Sequence, residues 1–257
     1  KRPHLAPLDT DDAALESLRA CLAKNRVRCA AVAAYTDFAP QRAGEVPFAE
    51  MQLGYVEDLC RIARALGATI VRVFTAYESE PPTPAAAWTH VASCLRECAD
   101  RAADFGVTLA VQNHHDVALH TDALLELLDE VDRANVKAGF DAWSPALRGE
   151  DLYEAARRMA PHTAITTNAD YIRLPRYRYR PELVNYERQQ PDLVRAVPFG
   201  EGFIDYEAFF AGLADGGFDG AANYEMCSPI RGGGSLENLD RYARGYLAWM
   251  QKHAVKS

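Results

Sequence analysis

The chain has 257 residues, 49 % apolar and 25 % charged, enough for one large domain with a sizeable core. Its net charge of −8 argues against a general nucleic-acid binder, which would usually carry a basic face. No apolar run reaches the roughly 18 residues a membrane span requires, so none is expected.

In chain order, the opening "KRPHLAP" reads as the tail of a strand running into a loop, and an apolar strand follows at 27–35. Residues 49–66 have helical apolar spacing, end at Gly67 and lead into the strand "TIVRVFT" (69–75). A longer helix over 84–105, with Pro84 in its first turn, leads past Gly106 into "VTLAVQ" (107–112). A helix over 121–132 starts on a Thr121 cap and leads to "VKAGFD" (136–141). Residues 150–159 lead to "TAITTNAD" (163–170), 205–215 lead to "AANYE" (221–225), and a helix at 235–252 closes the chain.

Helices between strands, without hairpin signals, imply parallel strands joined by right-handed crossovers. An open doubly wound sheet would place a Gly-rich phosphate loop after an early strand, and no GxGxxG opens a helix here. The strands instead end in polar side chains, as a (β/α)8 TIM barrel builds its site. The fold expected is therefore α/β, one TIM-barrel domain over 1–257. Only six strands are readable, so the first strand-helix-strand segment is expected to lie before Lys1, or another chain to cover the gap. Residues 171–203 form an unusually long inserted loop with Arg173, Arg176, Arg178 and Arg180 set among Tyr177 and Tyr179. It reads as a solvated lid or subunit contact, the latter giving a homo-oligomer, or as a grip for a base or phosphate. The six cysteines form no CxxC pair; they read as reduced, mostly buried thiols of a cytoplasmic protein, and no signal peptide is visible in a sequence that begins at Lys1 and leaves open an export signal before it.

Strand alternation points Gln112 and His114 together into the barrel mouth, where Asp141 and Glu225 end later strands. Such oxygen and nitrogen donors suit a divalent metal (Mn, Mg, Co or Zn) held by Gln112, Asp141 and Glu225. The ion would hold neighbouring sugar oxygens, with Glu225 and His114 as catalytic groups. The plainer alternative is a hydrogen-bonded polar layer. Candidate substrate-binding residues around this centre are Arg72, His115, Trp143, Asn168 and Arg231. Arg231 adjoins Gly232–Gly234 and the Ser235 helix cap, a candidate anion pocket.

The stretches "GVTLAVQNHH", "AGFDAWSP", "FGEGFIDYEAFF", "GGFDG" and "YEMCSP" resemble the xylose isomerase-like sugar phosphate isomerase/epimerase superfamily, from about Leu53 to Trp249. The resemblance implies a TIM barrel with a divalent metal on Glu, Asp, His and Glu from four strand ends. Asp141 and Glu225 match that set. Gln112 falls where the family's first Glu stands, and Thr167 where its His stands, with Asn168 as the fallback. Gln112 keeps an oxygen donor but loses a charge and a base, so a weakened metal site is expected. The reading is a sugar isomerase or epimerase-like enzyme acting on a small-molecule sugar or sugar derivative. The alternatives are a related lyase and a non-catalytic barrel subunit that has lost its metal.

Overall fold

Strands covered on both faces are rich in Val, Ile, Leu and Ala, as in "TIVRV" (69–73) and "VTLAV" (107–111). The computed structural model describes residues 4–39, 46–78, 83–227 and 230–253. In it α1 (Asp12–Lys24), β1 (Val32–Ala33), α2 (Phe48–Ala65), β2 (Ile70–Val73), α3 (Pro84–Ala103) and β3 (Thr108–Val111) alternate. Then follow α4 (Thr121–Val131), β4 (Val136–Asp141), α5 (Trp143–Arg148), α6 (Leu152–Met159) and β5 (Thr163–Asn168). After β6 (Asp170–Arg180) and β7 (Asn185–Val197) come α7 (Tyr206–Asp215), β8 (Ala221–Tyr224) and α8 (Leu236–His253).

One sheet takes six strands in the order β1-β2-β3-β4-β5-β8, every neighbour parallel. It curls into a half-barrel, the α/β architecture expected, with helices over its outer face. Outward side chains make the core: Val71, Leu109, Val111 and Phe140 are at most 1 % exposed, and Phe140 stacks on Phe209 of α7 at 5.7 Å. A cavity of about 1120 Å³ lies between the chain leading into β1 and the last strand, lined by Leu22, Arg28, Ala30, Leu66, Ala222 and Leu247. Gly212 of α7 and Gly216, which caps it, let the helix lie directly on α6. A Cβ on Gly212 would sit 2.2 Å from the Tyr153 carbonyl oxygen, and one on Gly216 would sit 2.5 Å from that of Arg157.

Two local expectations change. Thr121 lies one position inside α4, whose cap position is His120, while Thr83, Asp151 and Asp205 do cap their helices through side-chain oxygens. The 171–203 segment is no loop. It is mostly a β-hairpin, β6 and β7 pairing antiparallel from Asp170–Val197 to Arg180–Asn185.

Candidate active site at the strand ends

Arg72 is the inward residue of β2, level with Ala110 on β3. The small side chains at Ala110 and Gly139 leave room for its stem: a Cβ on Gly139 would lie 3.5 Å from Arg72 Cγ. The guanidinium is buried and donates from Nη1 to the Ala34 carbonyl at 2.9 Å. It lies 4.0 Å from the Phe74 ring centroid and 5.2 Å from that of Tyr35. Burial lowers its pKa, while Glu225, Tyr35 and Asp141 draw it back up. An arginine keeps its proton under such opposing pulls, so the mouth has a fixed positive charge at its floor.

The Asp141 carboxylate is wholly enclosed. Oδ1 accepts the Trp143 N–H at 2.7 Å, and Oδ2 accepts the Gln112 Nε2–H at 2.8 Å. Desolvation, aided by the nearby Glu225 charge, pushes its pKa up to about 7 against the pull of those two donors and Arg72. Asn113 clamps the backbone beneath: its Nδ2 donates to the Asp141 carbonyl at 2.9 Å, and its Oδ1 accepts the Asp141 N–H at 2.7 Å. Gln112 Oε1 is buried without a partner. Glu225 follows β8, half-buried, its backbone N–H bonded to the Asn168 carbonyl at 2.9 Å.

Past β3 the chain turns tightly, the His114 N–H reaching the Gln112 carbonyl at 2.7 Å. His115 takes φ +66°, in the left-handed region. That breaks strand alternation, and both imidazoles come to rest on Phe74, His114 at 4.9 Å and His115 at 4.4 Å between centroids. Tyr77 closes on His115, Trp143 on His114 at 5.6 Å, and Tyr171 on Trp143 at 5.2 Å. Burial, then Arg72, lowers the His114 pKa; burial, then His114, lowers that of His115 to about 4. His114 Nδ1 accepts the His115 backbone N–H at 2.8 Å, so the neutral ring carries its proton on Nε2 and is a donor there. His115 Nδ1 and Trp143 Nε1 are buried without partners. Beside this wall Cys227 pairs with Tyr171; burial, then Glu225, pushes its thiol up to about 12.

The structure thus brings Arg72, Gln112, His114, His115, Asp141, Trp143 and Glu225 to one end of the sheet. Two expected residues are elsewhere. Asn168 points out of the barrel, its Nδ2 donating to Thr166 Oγ1 at 2.7 Å and to Tyr246 Oη on α8 at 3.5 Å. Strand phase explains this: Thr167, not Asn168, is level with Asp141. Arg231 pairs with Glu201 at 3.4 Å. The glycine turn beside it is tied to Asn238, whose Nδ2 donates to the carbonyls of Arg231 at 3.1 Å and Gly233 at 2.6 Å, so it forms a structural turn. Asn113, Tyr35, Tyr77 and Tyr171 carried no role in the sequence reading. Asn113 was visible only as part of the polar run after β3, and the tyrosines only as residues near strand ends.

Among the described residues no three His, Cys, Asp or Glu side chains are grouped to hold a metal ion. A divalent ion here therefore depends on Gln112. The donor chemistry fits: two carboxylates close enough that the charge of Glu225 raises the proton affinity of Asp141, beside an amide oxygen with no partner. All six cysteines are free, and burial, then Glu57, pushes Cys60 up to about 12, as inert packed thiols behave. No described helix is long and apolar enough to cross a membrane.

No curated protein matches the chain at a significant level. Among solved structures, D-allulose 3-epimerase from Methylomonas sp. superposes with a TM-score of 0.73 at 16 % identity, over 97 % of this chain and 85 % of that one. The 3-keto-D-glucoside 4-epimerase YcjR from E. coli gives 0.71 at 16 % identity over 93 % and 84 %. The IOLI protein, solved with a zinc atom, gives 0.70 at 16 % over 96 % and 85 %. At such identity these likenesses establish the fold. The model of the xylose isomerase-like TIM barrel family matches residues 1–253, and the chain belongs to that family.

Proposed function

We propose that the chain is a sugar isomerase or epimerase-like enzyme that moves a proton at the carbon next to a carbonyl of a small sugar or sugar derivative. The observation that carries this reading is the enclosed carboxylate of Asp141 set with Glu225 and a neutral His114 against a buried guanidinium. Glu225, half-buried at the open end, is the group to take the carbon-bound proton. His114 donates from Nε2 to the oxygen that gains negative charge as the enediolate forms. Arg72 beneath it favours that charge at short range in a water-poor site. The rings of Phe74, His115 and Trp143 present apolar faces to the sugar, and Trp143 Nε1 and His115 Nδ1 have hydrogen-bonding capacity to spend on hydroxyls. When bound, a divalent ion such as Mn, Mg, Co or Zn, held by Gln112 Oε1, Asp141 and Glu225, would polarise two neighbouring sugar oxygens. The free thiols suit a reducing, cytoplasmic setting.

The neighbours named as epimerases of D-allulose and of 3-keto-D-glucoside make ketoses and keto-glycosides the first compounds to try. The test is exchange of a carbon-bound proton for deuterium in D2O, followed by NMR, with Mn, Mg, Co or Zn supplied in turn. Glu225→Gln is expected to slow exchange about 100-fold or more, the size of a general-base contribution. Absence of exchange or interconversion in every sugar and metal tried would reject the reading in favour of a non-catalytic barrel. Chain cleavage without exchange would assign a lyase.

A further inference from the structure

We infer that the β6–β7 hairpin is an arm that joins two copies of this chain. Its root belongs to the body: Tyr171 packs on Trp143, and Arg173 lies 4.3 Å over Phe203 and donates to the Ala146 carbonyl at 3.2 Å. Beyond Leu174 the ribbon stands clear, and nearly every residue from 175 to 191 is exposed. A two-stranded ribbon wet on both faces is marginal in water. This one nonetheless keeps its register from Arg176–Gln189 to Arg180–Asn185, so it is a surface in want of a cover.

Register divides its faces. Tyr177 opposite Arg188, and Tyr179 opposite Tyr186, share one face, on which the Tyr179 and Tyr186 rings meet at 5.2 Å. Arg176 and Arg178 are on the other. Tyr177, Tyr179 and Tyr186 are 60 %, 49 % and 66 % exposed, and the tip adds Leu183 and Val184 at 67 % and 80 %. Tyrosine and arginine are the residues that anchor protein interfaces.

Charge selects the occupant. Residues 173–195 hold six arginines against three carboxylates, a net +3 in a chain of −8, so the remainder carries −11. The hairpin's carboxylates are already taken, Glu182 and Glu187 by Arg180 and Asp192 by Arg188. Arg176, which donates to the Pro191 carbonyl at 3.2 Å, and Arg178 pair with no carboxylate among the described residues and remain to meet acid from outside. A polyanion such as nucleic acid or an acidic lipid surface would be repelled by the −11 body, whereas a second copy offers that body as the complement. Two-fold pairing then makes each arm-to-body contact twice.

The test is the mass in solution of the full chain by light scattering and sedimentation at micromolar concentration. The expected species is twice the 28.4 kDa chain. Raising salt should weaken it at least several-fold, and Arg176→Glu with Arg178→Glu should act in the same direction without added salt. Tyr179→Ser with Tyr186→Ser should weaken it about 100-fold. These positions are exposed, and circular dichroism checks that each variant keeps its fold. A wild-type monomer at every concentration overturns the inference. So does a dimer indifferent to salt and to both variant pairs. Binding of a DNA duplex or anionic vesicles by a wild-type monomer would give the arm to a different partner and overturn it equally.

Discussion

Asp141 has a folded pKa of about 7 against an ordinary value of 3.8, and the sign of that shift sets a stability profile. The neutral acid is the form the fold prefers. Its contribution is full below about pH 4, is lost as pH rises through 7, and is gone above that. A three-unit shift converts to at most about 4 kcal/mol, since each unit is about 1.4 kcal/mol. Asp141→Asn has no charge to bury. Its oxygen still accepts the Trp143 N–H, and its amide can donate to Gln112 Oε1, which has no partner now. In chelator-treated protein the variant should therefore melt higher than wild type at pH 8 by about 1–3 kcal/mol, the gap closing towards pH 4, while its activity is lost. Thermal unfolding across that pH range checks this, and equal curves at pH 8 would refute it. Asn113→Ala strips two bonds from the Asp141 backbone and should cost about 2–3 kcal/mol by denaturant unfolding. At this scale the sequence was legible in part. Strand phase put Gln112 and His114 on one face, but the left-handed turn at His115 follows no periodicity. Asn168 faces away from the mouth for a different reason: it stands one residue out of phase with Asp141, and one residue reverses the face of a strand side chain.

Among elements, α6 and α7 approach more closely than side chains normally allow. Gly212 and Gly216, one helical turn apart, face carbonyls of α6, and nothing flexible can move from a backbone oxygen 2.2 Å away. Gly212→Ala should force the helices apart and cost about 1–3 kcal/mol as overpacking, despite the better helix propensity of alanine. Gly245→Ala on α8, where an added Cβ meets nothing within 4 Å, is the control and should be neutral or slightly stabilising in the same melts. The central parallel strands were readable because burial on both faces writes apolar runs, whereas the strand expected over 27–35 is confined to Val32–Ala33, with Ala33 exposed. The hairpin was not. Its Arg–Tyr alternation has no apolar face to mark a strand, and its turn uses Pro181-Glu-Leu183 and a left-handed Val184 instead of an Asn-Gly pair.

For the molecule as a whole, the proposed metal would couple the mouth to the fold and to pH. Gln112, Asp141 and Glu225 come from strands joined only through the sheet, so an ion held by all three ties β3, β4 and β8 together and binds the native state alone. Such an ion stabilises by about 2.7 kcal/mol when its concentration is 100 times its Kd. In a chain of this size that is roughly 5–10 °C in Tm. With one proposed ligand neutral and no imidazole among the three, the affinity belongs in the weak range, and millimolar rather than micromolar Mn or Zn should be needed to reach that shift. Ligand deprotonation sets its direction with pH. Asp141 must lose its proton to bind, so the shift should grow from pH 6 to pH 8, opposite in slope to the metal-free protein. Gln112→Glu, by restoring a third carboxylate, should move the midpoint to lower metal, and Asp141→Asn should remove it. A wild-type Tm unmoved by millimolar Mn, Co and Zn at pH 8 would leave Arg72 as the cation serving the mouth, and its short-range pull on Glu225 and Asp141 as the electrostatic frame of the site.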